Sequence, residues 1–256
     1  MTRAGWQENW ELYEGAAESG RAIVLVDLGA KGHVPLPSHP VRLQLRVKLL
    51  APRPDGLRSA EESEALYALE DNLMAAMKAA ADARFVARVV AYGYTEFFFY
   101  VPPTAREVGA KADALVGGAA PYVFEWFAED DPQWTEYASL YPNRYALQTI
   151  ANRRLQQTME ESGDHLELER EVDHAALFPS REQAEAATQA LSSAGFHVKA
   201  PAPAEGSEGQ WLLEFHRRDR CDGDRPDEFA FEVMRLIEPH GGDYDGWGST
   251  LQRAEA

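Results

Sequence analysis

Cysteine is almost absent from this sequence of 256 residues, in which Cys221 is the single one. One thiol cannot form an intramolecular disulfide or a zinc site made of several cysteines, and such usage suits a reducing compartment. Long apolar runs are missing as well. No segment approaches the roughly 18 uninterrupted apolar residues of a membrane span, and the first residues lack a signal-peptide core. We therefore expect a cytoplasmic protein that is neither exported nor inserted in a membrane.

Positive charge is also scarce, with 25 lysines and arginines against 42 aspartates and glutamates, which gives a formal net charge of −17. A field of this sign repels the phosphates of nucleic acids and favours a basic partner. We therefore expect a basic protein partner and no direct binding of nucleic acid. One alternative is RNA binding by the basic face of a predicted strand, which carries Arg42, Arg46 and Lys48 and which Arg88 could join.

The usual sequence motifs of catalysis and cofactor binding are missing too. The seven histidines show no metal-binding spacing such as HExxH, and neither a GxGxxG loop nor a GxxxxGKS/T loop occurs. Cys221 lies in a loop between arginines and acids, where a structural thiol is more common than a nucleophile. We therefore expect no catalytic residues, no metal and no cofactor, and hence a protein that is not an enzyme.

Aromatic segments keep an alternative function open. The runs "FFFY", "YVFEWF" and "WTEYASLYPNRY" all lie in or next to the first 142 residues. Such rings could line an apolar pocket, either in the N-terminal half or between the two halves, and the protein would then be a small-molecule binder or an enzyme. Alternate positions of a strand face inward, so most of these rings are also expected in the core.

Length and patterning predict two domains, with a boundary between residues 142 and 143 where the composition changes. The clearest signal is the strict alternation of apolar and polar residues over Val41 to Leu49, which predicts a strand with one buried face. The predicted order in residues 1–142 is ββαββαβ, with strands at 22–28, 41–49, 84–94, 96–101 and 122–127 and capping boxes Ser59/Glu62 and Thr104/Glu107 at the helix starts.

Residues 143–256 are predicted to form a helix followed by the order βαββαβ. The helices are expected at 143–161, after the Ser180/Gln183 capping box, and after Asp224 with Pro226, and the strands at 166–177, 196–200, 211–217 and "DYDGWG". This order is that of a split βαβ, or ferredoxin-like, sandwich. The expected fold class is α+β, with two ferredoxin-like domains whose helices cover one face of mostly antiparallel sheets.

The C-terminal half resembles the regulator of ribonuclease E activity B family, small bacterial proteins that inhibit ribonuclease E by binding it. The resemblance covers Asn143 to Leu251, through "LQQTMEESGD", "REVDHAALFPSREQAEAATQALSSAGFHV" and above all "DYDGWG". The N-terminal half is similar to an uncharacterised bacterial domain family through "PDGL", "LYALED", "FFFYV" and "DPQWTEYASLYP". The resemblance implies a non-catalytic regulator that binds and inhibits or modulates ribonuclease E or related RNA-degradation machinery.

The candidate partner-binding residues follow from the same motif and are Asp243, Tyr244, Asp245, Gly246 and Trp247. The two carboxylates could accept hydrogen bonds from guanidinium groups, the two aromatics could anchor an interface, and the glycine permits a positive φ. Residues 143–256 hold 12 basic and 22 acidic side chains, which suits docking on an arginine-rich segment. In the alternative, the aromatics pack in the core and Asp245 and Gly246 make a turn.

Overall fold

The computed structural model describes residues 5–17, 20–206 and 209–253. The chain divides into two compact units, Met1–Ala146 and Leu147–Ala256. The assignment of residues 1–142 and 143–256 as separate domains stays a prediction. No helix in the described part of the chain has the length and apolar character needed to cross a membrane.

The N-terminal unit is built on a six-stranded antiparallel sheet in the order β1-β2-β4-β5-β3-β6. Its strands are β1 (Trp10–Ala17), β2 (Gly20–Asp27), β3 (Val41–Lys48), β4 (Arg84–Ala91), β5 (Tyr94–Val101) and β6 (Glu125–Asp130). Its helices are α1 (Ala60–Ala81), α2 (Ala112–Leu115) and α3 (Thr135–Leu140).

Four of these strands form the split βαβ arrangement. Helix α1 connects β3 to β4, and β5 lies between them and is antiparallel to both. With β6 beside β3, the order β6-β3-β5-β4 is that of a ferredoxin-like sheet, which the β1-β2 hairpin extends beyond β4. The α+β class with a mostly antiparallel sheet is thus confirmed for this unit. Strand β1 was not predicted, because its acidic residues and a glycine weaken the strand pattern.

Two predicted helix starts of this unit differ in the structure. Ser59 makes no side-chain cap, and Glu62 instead accepts hydrogen bonds from the backbone N–H groups of Leu50 and Ala51 at 2.7 and 3.0 Å. The helix predicted after Thr104 is replaced by two 3-10 turns and the short α2. Gly109 allows this segment to pack closely on β6, because a Cβ at that position would lie 2.9 Å from Cβ of Trp126.

Both faces of the N-terminal sheet are covered, so the prediction that helices cover one face alone was wrong for this unit. Helix α1 packs on one face, where the fully buried side chains include Leu43, Leu45, Leu66, Leu73, Met77 and Phe97. On the other face, Trp134 stacks on Tyr100 with ring centroids 3.9 Å apart. The Tyr100 hydroxyl donates to Asp131, which also accepts from the backbone N–H of Thr135 at the start of α3. Most of the predicted aromatic rings therefore belong to the core, as alternation requires.

The C-terminal unit has the predicted order α, then βαββαβ, with one unpredicted two-residue strand, Ala202–Pro203, between the second and third predicted strands. Its elements are α4 (Arg144–Glu161), β7 (Arg170–Phe178), α5 (Arg181–Ser193), β8 (His197–Val198), β9 (Ala202–Pro203), β10 (Trp211–Asp219), α6 (Arg225–Ile237) and β11 (Asp243–Ser249). The sheet order β11-β7-β10-β8, with β9 beside β10, is the ferredoxin-like order 4-1-3-2. The fold class is therefore confirmed for this unit as well.

Local sequence signals explain much of the C-terminal unit. Ser180 accepts a hydrogen bond from the backbone N–H of Gln183 at 3.3 Å, so this predicted cap is confirmed. Asn143 caps α4 by accepting from two backbone N–H groups at 3.0 Å. Asp224 makes no such hydrogen bond at the start of α6. The helices α5 and α6 cover one face of the sheet, over a core that contains Phe178, Leu191, Leu213, Phe215, Val233 and Ile237.

Candidate functional site in the C-terminal unit

The candidate residues lie on β11, an edge strand whose single partner in the described sheet is β7. The register is interrupted, because Tyr244 pairs with Ala176 and Gly246 pairs with Ala175, which leaves Asp245 as the extra residue of a β-bulge. Gly246 has a φ of +126°, a conformation that favours glycine. Asp245 and Gly246 therefore form a bulge within a continuous strand rather than the turn considered above.

The two aromatic residues of β11 point toward the helices. The Tyr244 hydroxyl lies 2.7 Å from Nδ1 of His174 in a hydrogen bond. The Trp247 indole N–H donates to Oδ1 of Asn152 at 2.8 Å, and its ring meets Phe229 edge-on at 5.2 Å. Both side chains are half-buried, and both polar atoms are bonded within the unit. The structure thus gives them a packing role, and their contact with a partner stays a prediction.

Asp243 and Asp245 differ from the aromatics, since both are exposed. Strand pairing places Asp243 opposite Leu177, on the sheet face that α5 and α6 do not cover. The two carboxylates therefore stand on an open strand edge, where a cationic partner group could reach them without displacing the core.

A buried polar network, which sequence reasoning did not predict, positions the middle of β11. Asn152 is 2 % exposed and donates to Oδ1 of Asp227 at 2.6 Å, while Thr149 donates to Oδ2 of Asp227 at 2.8 Å. Asn152 also accepts from Trp247, so this one amide connects α4, α6 and β11. Asp227 and Trp247 are far from α4 in sequence. The spacing of Thr149 and Asn152, which puts both on one face of α4, is the one signal that could have indicated part of this network.

His174, behind Tyr244, is a strongly perturbed titratable group of the site. It is 3 % exposed and stacks on Phe215 with ring centroids 5.4 Å apart. Burial, together with the charge of Arg217, lowers the pKa of His174 to about 3. His174 is therefore a neutral core imidazole at physiological pH.

We expect this buried imidazole to make the C-terminal unit less stable in acid. Below pH about 6.5, the unfolded chain binds a proton at His174 and the folded unit does not. The free energy of unfolding therefore falls as the pH falls toward 3. The contribution is about 1.4 kcal/mol per pH unit. Urea titrations followed by NMR signals of β7, at pH 7 and pH 4, should show a smaller loss for His174→Phe than for the parent protein.

The control for this prediction is His240→Gln, which changes a partly exposed histidine of the same unit. It should keep the pH dependence of the parent protein. An unchanged pH dependence in His174→Phe would show that His174 is not the proton-linked group.

Cys221 is fully buried in a core cluster with Met159 and Phe229. Burial raises the pKa of its thiol to about 11, so the thiolate that a nucleophile requires is not formed near neutral pH. The structure thus agrees with a structural thiol.

The basic face of β3 is occupied by ion pairs. Arg42 donates to Glu136 at 2.6 Å and to Glu129 at 2.7 Å. Arg46 donates to Glu125 at 2.6 Å, and its guanidinium lies over the ring of Tyr94 at 4.8 Å. The guanidinium groups of Arg42 and Arg46 are therefore already paired with carboxylates, whereas RNA binding would require the same groups to contact phosphates.

The N-terminal unit contains a cleft of about 670 Å³, whose lining includes Tyr13, Arg46, Tyr94, Glu96 and Tyr141. The Tyr13 hydroxyl donates to the carbonyl of Leu140 at 2.8 Å. Burial raises the pKa of Glu96. A titratable group with a raised pKa in a cleft is a feature of binding sites, and this is the geometry that a small-molecule function would use.

Together, the fold and the site define an α+β protein of two units, each with a ferredoxin-like sheet, and the C-terminal unit ends in a glycine-rich edge strand. Residues 8–141 match the family described as Family of unknown function (DUF695), and the chain belongs to this family. Residues 149–249 match the family described as Regulator of ribonuclease activity B. Both resemblances found in the sequence are thereby confirmed, and the second supports a regulatory role that is not catalytic.

Solved structures and curated proteins add little to these family matches. A protein assigned as a glycine cleavage system transcriptional repressor is 8% identical, with 82% of this chain and 98% of that chain covered and a TM-score of 0.24. An unknown protein from Galdieria sulphuraria is 14% identical, with 83% and 99% covered and a TM-score of 0.21. At such TM-scores neither structure informs the function. No curated protein matches the chain in sequence.

Proposed function

We propose that this protein is a non-catalytic cytoplasmic regulator whose C-terminal unit binds and inhibits or modulates ribonuclease E or a related component of the RNA-degradation machinery. The observation that carries the proposal is the match of residues 149–249 to the family described as Regulator of ribonuclease activity B. No cofactor, metal or direct contact with nucleic acid is needed for this role, because an inhibitor acts by occupying its target.

The proposed docking edge consists of Asp243, Tyr244, Asp245, Gly246 and Trp247. An edge strand can pair its free backbone groups with an added strand of a partner. Exposed Asp243 and Asp245 would accept hydrogen bonds from arginines of that strand. Tyr244 and Trp247 would fix β11 in place through their hydrogen bonds to His174 and Asn152. The net charge of −17 would speed the approach of a basic segment.

The direct test adds the full-length protein to purified ribonuclease E and measures both binding and cleavage of an RNA substrate at several salt concentrations. We expect binding that weakens with salt, together with reduced cleavage. Absence of both binding and inhibition at low salt would remove ribonuclease E as the target.

The double variant Asp243→Asn/Asp245→Asn tests the docking edge itself. Exposed ion pairs contribute about 0.2–1 kcal/mol each, so losing two should weaken binding between about twofold and thirtyfold, mainly through slower association. The matched control Glu160→Gln/Glu205→Gln removes the same charge from exposed positions elsewhere in the unit. If both double variants weaken binding equally, the net charge matters and the edge does not.

The alternative function is small-molecule binding or catalysis in the N-terminal cleft, which the raised pKa of Glu96 favours. A ligand screen by thermal shift of the full chain would test it. A hit whose thermal shift disappears in Glu96→Gln would support this function, and the ribonuclease assay of the full-length protein would still test the regulatory function separately.

A further inference from the structure

The open face of the C-terminal sheet brings together residues that are distant in sequence. Pairing of β11 with β7 places Gly248 opposite Asp173, pairing of β7 with β10 places Asp173 opposite His216, and pairing of β10 with β8 places His216 opposite His197. Directly paired residues lie on the same face of a sheet. Gly248, Asp173, His216 and His197 therefore form one row across β11, β7, β10 and β8.

Glu171 joins this row, because it is two residues from Asp173 on β7 and so shares its face. Its Oε2 lies 3.6 Å from Nε2 of His216. One ligand atom each from Glu171, Asp173 and His216 all lie within 4.8 Å of one another. The ring of His197 is next to that of His216, with centroids 5.2 Å apart.

The surroundings leave this cluster accessible. Gly248 has no side chain, and a Cβ added there would meet no atom within 4 Å, so nothing covers Asp173 from the β11 side. Arg218 stands opposite Glu171 in the register, but its guanidinium donates to the carbonyl of Glu169. The cluster therefore offers two exposed carboxylates and two imidazoles, with the guanidinium of Arg218 as a neighbouring positive charge.

This set of donors has the chemistry of a transition-metal site. Imidazole nitrogen and carboxylate oxygen bind zinc at about 2.0–2.2 Å, and imidazole ligands favour zinc, copper, nickel and cobalt over magnesium and calcium. Ligands of a tetrahedral zinc are separated by roughly 3.4 Å at such bond lengths, so rotations of exposed side chains would bring these groups into place.

We propose that the open face of the C-terminal sheet binds one divalent transition-metal ion of the zinc class through Glu171, Asp173 and His216, with His197 as the fourth ligand. Sequence reasoning missed this cluster because its histidines are 19 positions apart and belong to no spacing motif. Strand register alone assembles it.

The test is a titration of metal-free, tag-free full-length protein with Zn²⁺ by calorimetry and with Co²⁺ by visible absorption. We expect one site per chain, no comparable binding of Mg²⁺, and a loss of affinity of about tenfold or more in His216→Ala and in Asp173→Asn. A smaller loss is expected in His197→Ala.

The matched control is His165→Ala, which removes a histidine paired with a single carboxylate, Glu167, at 3.2 Å in the same unit. It should bind Zn²⁺ as the parent protein does. Circular dichroism of each variant separates loss of the ligand from loss of the fold. Absence of Zn²⁺ binding, or equal affinity in folded His216→Ala and in the parent protein, would overturn the proposal.

Discussion

Replacing Arg170 with methionine is expected to destabilise the C-terminal unit by about 3–5 kcal/mol, because Asp164 would be left as a buried charge without its partner. The side chains of Arg170 and Asp164 are 1% and 0% exposed, and Nη1 of Arg170 reaches both carboxylate oxygens, at 2.6 and 2.7 Å. Arg170 also donates to the carbonyls of Leu168 and His165. Asp164 in turn accepts from the backbone N–H of Gln252, so the pair ties the segment after β11 to the end of α4.

Peptide-resolved hydrogen exchange of the full chain would measure this loss within the C-terminal unit. The control is Arg181→Met, which removes the exposed pair with Glu185 on α5 and should change the free energy of unfolding by no more than about 1 kcal/mol. Adding Asp164→Leu to Arg170→Met should recover part of the loss, because no unpaired charge then stays buried. Similar effects of Arg170→Met and Arg181→Met would contradict the argument.

Arg170 and Asp164 also show which kind of contact cannot be predicted from the sequence. Alternation and capping residues are local signals, and they predicted β3, the Ser180 cap and the βαββαβ order of the C-terminal unit. A charged residue in a sequence looks the same whether it is exposed or buried. Its partner is found only when the fold brings distant segments together, so the buried ion pair could not be predicted.

The candidate site also combines features that local sequence patterns predict with features that only the fold determines. The sequence identified "DYDGWG" as the significant segment, but strict alternation would place Tyr244 and Trp247, which are three residues apart, on opposite faces of the strand. The extra residue at Asp245 brings both rings to the inner face. The bulge at Asp245 and the network through Asn152 depend on register and on helix packing, which no local pattern specifies.

The second large effect is expected in the N-terminal unit, where Glu70→Gln should cost about 3–5 kcal/mol of folding free energy. Glu70 on α1 is 7% exposed and its Oε2 accepts from Arg88 at 2.5 Å, while Nη2 of Arg58 lies 3.6 Å from the same oxygen. Burial and the nearby charge of Arg88 lower the pKa of Arg58. Arg88 and Arg58 thus share one carboxylate. Arg58 also donates from Nε to Oγ1 of Thr95 at 3.1 Å, but within the described chain its Nη1 and Nη2 have no hydrogen-bond partner.

Removing the negative charge of Glu70 would leave two like charges facing each other in a poorly solvated site, and the exposed Tyr67 ring above them offers only a weak cation–π contact. Glu64→Gln, an exposed position on the same helix, is the matched control and should stay within about 0.5 kcal/mol. Hydrogen exchange of β4 and β5 amides would report the difference. Adding Arg88→Leu to Glu70→Gln should restore part of the stability, because the repulsion disappears with one arginine. No such recovery would mean that Glu70 stabilises the unit by packing alone.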